Sequence, residues 1–518
     1  MLLINQLKVV LTPESKDINP LLKGLIIKKL KIKETDLIHF QIVKESLDAR
    51  KNPTYIYSVC VEVKNEKKYL HYHDVSLYHP KIYTYLKPNS PKTAIVVGFG
   101  PSGLFTSYLL AKSGIKTIVF ERGKKVEDRQ VDVQKFWNQG ILNSESNVQF
   151  GEGGAGTFSD GKLTTRIKDD RIQLILDILI EMGCDPCIAY QAHPHIGSDV
   201  LYDVIRNFRN KLIQMGVEFH FETKVESLLI VQNKVVGVQT KQKSYTSDAV
   251  VLAIGHSAKD TLKSLANQQV YLETKDFAVG VRVEHPQSII DSNQYKAYVN
   301  HPLLQASEYR LAYNTNKNYG VYSFCMCPGG QIVASSADQH TICTNGMSLS
   351  QRSSPYANSA ILVQVKSENY HRGNLFDGEA YQRALEEKAY QISNSYHAPA
   401  CNIKDYLNHQ LNPLKFTSSY LPGTHLYDLN QLFDPFINEA LHEAFLYFDS
   451  KIKGFIEQGI MLAPETRSSA IVRMKRNEAF ESISHENLYP CGEGAGYAGG
   501  IVSSALDGIK VAEAIIKK

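Results

Sequence analysis

No stretch of the 518-residue chain approaches 18 uninterrupted apolar residues, so the sequence contains no candidate membrane-spanning helix. Its opening segment, Met1 to Leu11, reaches Lys8 quickly and lacks a small-residue cleavage site, so a secretory signal is not expected. Eight cysteines are too few for a disulfide framework in a chain of this size, and the expected compartment is a reducing cytoplasm. Net charge is also small, +4, but unevenly spread: residues 1–92 hold 16 Lys/Arg against 9 Asp/Glu. The chain is 43% apolar and 21% charged, enough for two or three domains with their own cores.

The strongest signal is Ala-Ile-Val-Val-Gly-Phe-Gly-Pro-Ser-Gly at residues 94–103, an apolar, β-branched strand running into Gly98-x-Gly100-x-x-Gly103. This is the phosphate-binding turn of a dinucleotide fold. Its first glycine permits the tight turn, the second lets backbone approach a pyrophosphate, and the third lets the next helix pack on the strand. That helix is expected over Leu104–Ser113, with the N-terminal end of its dipole toward the anion. A second strand, Lys116–Phe120, ends at Glu121, near the position where a carboxylate holds a ribose hydroxyl.

The glycine pattern recurs at Gly494-x-Gly496-x-x-Gly499, but too little chain follows for another βαβ unit with its own acid. The better reading is a strand over Asn487–Cys491, a loop opening with Gly492-Glu493, and a closing helix from Ile501 to Lys517. Residues 141–170, dense in Gly, Ser and Asn, read as a long functional loop. A strand Val217–Phe221, a hairpin turning at Gln232–Lys234 and a strand Ala249–Ile254 follow. Strands Asp276–Val283 and Tyr319–Cys325 and helices Gly378–Ser393 and Phe436–Gln458 then mark an inserted domain, with a ligand cleft between the two. Residues 1–92 read as strand, helix, strand, strand. The expected class is α/β: a ferredoxin-like α+β module over 1–92, a Rossmann-like domain from 93–270 and 461–518, and an inserted α+β domain over 271–460.

Further segments carry a resemblance to a known family. Glu121-Arg122-Gly123, Val250-Val-Leu-Ala-Ile-Gly-His256 and Gly492-Glu-Gly-Ala-Gly-Tyr-Ala-Gly-Gly-Ile501 make the chain similar to the two-domain flavoproteins related to glutathione reductase. Ser46-Leu-Asp-Ala-Arg-Lys51, Gly153-Gly-Ala-Gly-Thr-Phe-Ser-Asp-Gly-Lys-Leu163, His193-Pro-His-Ile-Gly197, Tyr322-Ser-Phe-Cys-Met-Cys-Pro-Gly-Gly330, Asn345-Gly-Met-Ser348 and Glu465-Thr-Arg-Ser-Ser469 narrow it. Within that superfamily the chain resembles uncharacterised bacterial FAD-dependent dehydrogenases with an extra N-terminal domain. The resemblance implies FAD, with its pyrophosphate at Gly98, Gly100, Pro101, Ser102 and Gly103, and its ribose at Glu121 beside Arg122; no His or Cys stands immediately beside the Gly-Gly loop, so non-covalent binding is expected, with His195 the one residue that keeps a covalent link open. The resemblance places adenine on the backbone of Val225, Ala253 and Gly255 at the cofactor, and Gly153, Gly154 and Ser159 along the flavin with Lys162 nearby. Gly492, Glu493, Gly499, Gly500 and Ile501 would serve the ribityl end.

Catalytic candidates are fewer. Cys325-Met-Cys327 puts two thiols on one face at a strand end, where a thiolate pair would relay electrons to the flavin; the competing reading is tight packing near the ring. His195, which with His193 flanks a proline, is a candidate for proton transfer, against the plainer reading of a hydrogen-bonded loop histidine. Arg467 and Arg352 are candidates for an anionic substrate or for negative charge on reduced flavin. Cys184-Asp-Pro-Cys187 follows a helix instead of opening one, so no dipole lowers its thiol pKa, and no metal is expected. Two functions remain. One is an FAD-dependent oxidoreductase moving hydride or electrons between FAD and a small molecule, with NAD(P)H as a transient donor. The other is a flavin-dependent RNA-modifying or RNA-binding protein using the basic module as its handle, although that module carries no recognised nucleic-acid motif.

Overall fold

The apolar run Thr93–Val97 is the central strand of a five-stranded parallel sheet in the computed structural model, which describes residues 1–518. The order is Leu488–Pro490, Ala249–Leu252, Thr93–Val97, Lys116–Phe120, Glu218–His220, with every pairing parallel. Continuous β-branched runs suit strands covered on both faces. The helix Pro101–Lys112 packs on this sheet together with the closing helix Ile501–Lys517. Gly508 makes their close approach possible, because a Cβ there would lie 2.4 Å from the Ser102 carbonyl oxygen. The expected hairpin forms from Val225–Val231 and Lys234–Thr240, and Ser244–Thr246 extends it to three strands.

The inserted unit is a seven-stranded sheet in the order Ala312–Asn314, Gly320–Cys327, Tyr356–Val365, Phe277–Pro286, Ile460–Glu465, Ala398–Asn402, Thr424–Leu426. All its pairings are antiparallel except the last. The expected boundary at 461 falls inside one of these strands and is corrected: Ile460–Glu465 is hydrogen-bonded between Phe277–Pro286 and Ala398–Asn402. The two chain crossings run side by side instead, as an antiparallel ribbon of Leu272–Thr274 with Val472–Met474. The expected helix Phe436–Gln458 is two helices, Pro435–Lys451 and Phe455–Gln458, because Gly454 takes a left-handed φ of +88° that an α-helix cannot contain.

Residues 1–92 supply strands Leu2–Val10, Leu37–Asp48, Thr54–Val63 and Val75–Leu77 and the helix Ile18–Leu30. The strand order is Leu37–Asp48, Thr54–Val63, Leu2–Val10, Val75–Leu77, antiparallel throughout. That is the order of a split β-α-β unit, with the second crossover reduced to a short 3-10 turn at Glu66–Tyr69. Its core, centred on Leu2, Ile26 and Val59, is separate from those of the other units. No helix of the protein is long and apolar enough to cross a membrane.

Candidate functional site

The parallel sheet's carboxyl ends and the inserted sheet enclose a cleft of about 1440 Å³, the crevice where open α/β sheets hold ligands. One pole is almost pure backbone. Gly98 turns at φ +96°, and a Cβ there would meet the Ala253 carbonyl oxygen at 2.3 Å. A Cβ on Gly103 would lie 2.0 Å from the Gly98 carbonyl oxygen, so only glycine lets helix and strand close. Gly100 differs: a Cβ would have only the Gly154 Cα nearby, at 3.6 Å, and would project into the space between the two loops. Gly100 caps the helix with no side chain on its first-turn N–H groups, and Pro101 is the first helical residue. A second uncapped helix start, Gly500 before Ile501, faces the same cleft. This glycine cradle fits a pyrophosphate in space and in donor chemistry.

Glu121 ties the cradle together. Phe99 N–H donates to its Oε2 at 2.9 Å, while Gly123 and Gly151 N–H donate to Oε1 at 2.9 and 3.1 Å. A carboxylate offers about four acceptor positions, so one remains for a ribose hydroxyl. Arg122 packs its guanidinium 4.2 Å from the Phe150 ring centre and pairs with Glu145 and Asp260. Ser102, Gly154, Ser159, Val225, Ala253, Gly255, Glu493 and Gly499 also line the cleft. Gly153 and Gly492 lie just behind its wall. Gly153 donates its N–H to the Phe99 carbonyl at 2.9 Å, and Gly492 gives its N–H to Asp507 at 2.7 Å.

The opposite pole is chemically dense. A bulge between Phe324 and Cys327, with Cys325 at φ +42°, corrects the expectation that the two thiols share a face. Cys325 lines the cleft, whereas Cys327 is fully buried behind it. Their neighbour is Arg282, also fully buried, which donates to the Cys325 carbonyl oxygen at 2.7 Å and to Cys327 Sγ at 3.4 Å. The adjacent Cys327 thiol, together with the Arg282 and Lys162 charges, holds the Cys325 thiol down to about 6 against the effect of burial. Burial pushes Cys327 up. Glu465, which pairs with Arg282, and Glu493 are each raised to about 7, chiefly by their low-dielectric surroundings. His256 Nδ1 stands 3.6 Å from Glu493 Oε1, and burial drives the imidazole pKa down to about 4.

Arg467 lines the cleft, but Glu386 and Asp338 engage its Nε and Nη2 at 2.7–2.9 Å. Its Nη1 is buried without a partner. Arg352 is corrected as an anion-binding candidate: it is buried outside the cleft, holding both Asp160 oxygens at 3.0 and 2.6 Å. His195 is likewise corrected as a proton donor, because its Nε2 faces the Ser350 carbonyl oxygen at 3.0 Å, outside the cleft wall. His193 lines the cleft in its place and pairs with Glu308 at 2.9 Å. Lys162 is there too, held by Asp160 and Glu308 at 3.0 and 2.7 Å. Burial pushes Cys184 and Cys187 each up to about 12, so both stay protonated.

Sequence reasoning missed Arg282. The available signal was a lone arginine inside Phe-Ala-Val-Gly-Val-Arg-Val, since a charge in a fully buried strand must be paired.

A family model described as FAD-dependent protein, C-terminal domain-like, matches residues 276–468, and a model for a domain of unknown function matches residues 1–64. An uncharacterized protein of Clostridium beijerinckii is 43% identical over 515 residues, covering 97% of this chain and 96% of its own. Among solved structures, the flavin-dependent brominase Bmp2 has a TM-score of 0.38 at 12% identity, over 82% of this chain and 79% of its own. Glycine oxidase from Bacillus cereus has a TM-score of 0.32 at 12% identity, over 82% and 94%. Likenesses this slight carry no argument. The cradle and the matched model define a flavoprotein. The chain belongs to the family of FAD-dependent proteins that the matched model and the full-length relative represent, and FAD is its cofactor.

Proposed function

We propose that the protein is an oxidoreductase that acts on a small molecule, with FAD held non-covalently across the cleft. When bound, FAD supplies two-electron redox chemistry. The observation that carries this reading is the alignment, within one cleft, of the glycine cradle at one pole with Cys325, Glu465 and Glu493 at the other. Gly98, Gly100, Ser102 and the Ile501 helix start would take the phosphates, Glu121 the ribose, and Val225 the adenine. Residues 93–270 with the segment after Met474 form the cofactor domain in this reading, and the seven-stranded sheet carries the substrate wall.

Each polar group facing this end of the cleft has a defined task. Cys325 presents a thiolate to the cleft near neutral pH. Glu465 and Glu493, raised to about 7, are matched to holding or releasing a proton there. Arg282 fixes the thiolate's position through the Cys325 carbonyl.

Anaerobic visible spectra of the purified yellow protein, before and after NADH and then NADPH, test the proposal. Bleaching by either marks a pyridine-nucleotide-driven oxidoreductase. Protein that stays oxidised takes its electrons from the substrate, and protein that cannot take up FAD overturns the reading.

A further inference from the structure

Where the N-terminal module meets the inserted domain there is a second chamber, of about 220 Å³. The module contributes Ile18, Glu45, Leu47, Tyr55 and Tyr57 to its wall, and residues 191–193, Tyr295, Leu303, Gln305, Ala306, Glu308 and the Asp160-bound Arg352 form the rest. The junction is well ordered by hydrogen bonds. Glu45 N–H donates to the Tyr190 carbonyl at 2.7 Å, and His301 Nε2 faces the Thr12 carbonyl oxygen at 2.9 Å.

Three tyrosines line the chamber with their hydroxyls already committed. Tyr55 donates to the Leu303 carbonyl at 2.7 Å, Tyr295 to the Gln305 carbonyl at 2.9 Å, and Tyr57 to Glu45 Oε2 at 3.0 Å. What they add to the wall is therefore aromatic surface. Glu45 receives a further, long bond from Ala192 N–H at 3.4 Å and forms no ion pair with a lysine or arginine. Glu308 is shared by Lys162 and His193, and Arg352 is engaged by Asp160. Lys162 and Arg352 each have a carboxylate of their own, in Glu308 and Asp160, and Glu45 is left without a lysine or arginine partner. Burial also raises the Glu45 carboxyl above its ordinary range, against the Ala192 and Tyr57 hydrogen bonds and the nearby His193.

We propose that this chamber binds a small organic ammonium ion, with Glu45 as its counter-ion and Tyr55, Tyr57 and Tyr295 as its aromatic walls. Aromatic faces beside a carboxylate are the surroundings an ammonium group selects. An anion would face Glu45, and a neutral ligand would leave that carboxylate without a charged partner. The chamber, of about 220 Å³, has room for a small ligand of this kind. Ala192, His193 and Glu308 line both this chamber and the large cleft, so the ammonium site is one wall away from the thiolate pole. The N-terminal module thereby supplies half of a binding site. The assignment does not depend on the flavin chemistry.

The test is calorimetric titration of the protein as purified with n-butylammonium chloride, against n-butanol and sodium butyrate at matched ionic strength. Saturable binding of the ammonium alone, weakened at least tenfold in Glu45→Gln, is the expected result. Tyr295→Leu, which leaves Glu45 in place, is expected to weaken it as well and serves as the reporter if Glu45→Gln fails to fold. No saturable heat in the millimolar range, equal binding of butanol, or binding that both folded variants leave unchanged would each overturn the proposal.

Discussion

Arg282 Nη1 donates to both oxygens of Glu465, at 3.0 and 3.2 Å, and neither side chain has more than a few per cent of its surface open to solvent. The same guanidinium gives Nε to Asn358 Oδ1 at 2.9 Å and Nη2 to the Cys325 carbonyl. One cation thus connects four strands of the inserted sheet. A buried pair of this kind is weak evidence for stability, because desolvation offsets most of the attraction. Its consequence is positional: it holds Cys325 at the cleft.

Replacing Arg282 with Met strands a buried carboxylate. Unfolding in urea is expected to show a loss of about 3–5 kcal/mol, and the double change to Met and Leu at 282 and 465 should recover much of it. A single-variant loss under about 1 kcal/mol would mean that water already reaches Glu465.

Cys325 should be the reactive thiol. Iodoacetamide labelling followed by mass spectrometry should modify it first, with a rate that rises through a midpoint near pH 6. Cys184 and Cys187, held up near 12, should stay unlabelled over the same range. Arg282→Lys keeps a charge but loses the fork, and should move the Cys325 midpoint upward.

The two glycines of the cradle should separate folding from cofactor binding. Gly103→Ala forces a 2.0 Å contact with a carbonyl oxygen and is expected to lower the melting temperature sharply. Gly100→Ala meets nothing closer than 3.6 Å, so the protein should fold while its FAD affinity falls by about tenfold or more. The flavin-to-protein absorbance ratio after gel filtration reads both.

Glu493 carries a pH signature. Its carboxyl rises from 4.5 to about 7 in the folded protein, so the folded state holds the extra proton between those values and this group costs stability as pH increases through that window. Glu493→Gln has no such term. Relative to wild type it should gain about 2 kcal/mol between pH 4.5 and 7, less than the full shift because a quarter of the side chain faces the cleft. Parallel stability curves for the two proteins would show that Glu493 ionises normally.

Short-range pattern accounts for what was legible beforehand. Gly98, Gly100, Gly103 and Glu121 lie within one βαβ unit, and the closing helix Ile501–Lys517 follows from its glycine run and apolar periodicity. The polar, glycine-dense loop at 141–170 was recognisable as a loop, but side-chain orientations in the loops around the cleft were not. His195 turned to Ser350 and His193 to the cleft, although the two differ in sequence only by their place around a proline. The break at Gly454 was missed because glycine within a helical pattern is tolerated more often than it interrupts.

The sequence by itself determined the glycine turn, the acid that braces it and the order of the units, since each rests on backbone geometry written into neighbouring residues. Only the tertiary structure decided the chemistry of the far pole. Arg282 meets Glu465 across 183 positions and Arg352 meets Asp160 across 192. A buried charge can be held only by a partner that folding brings to it, and no local pattern names that partner.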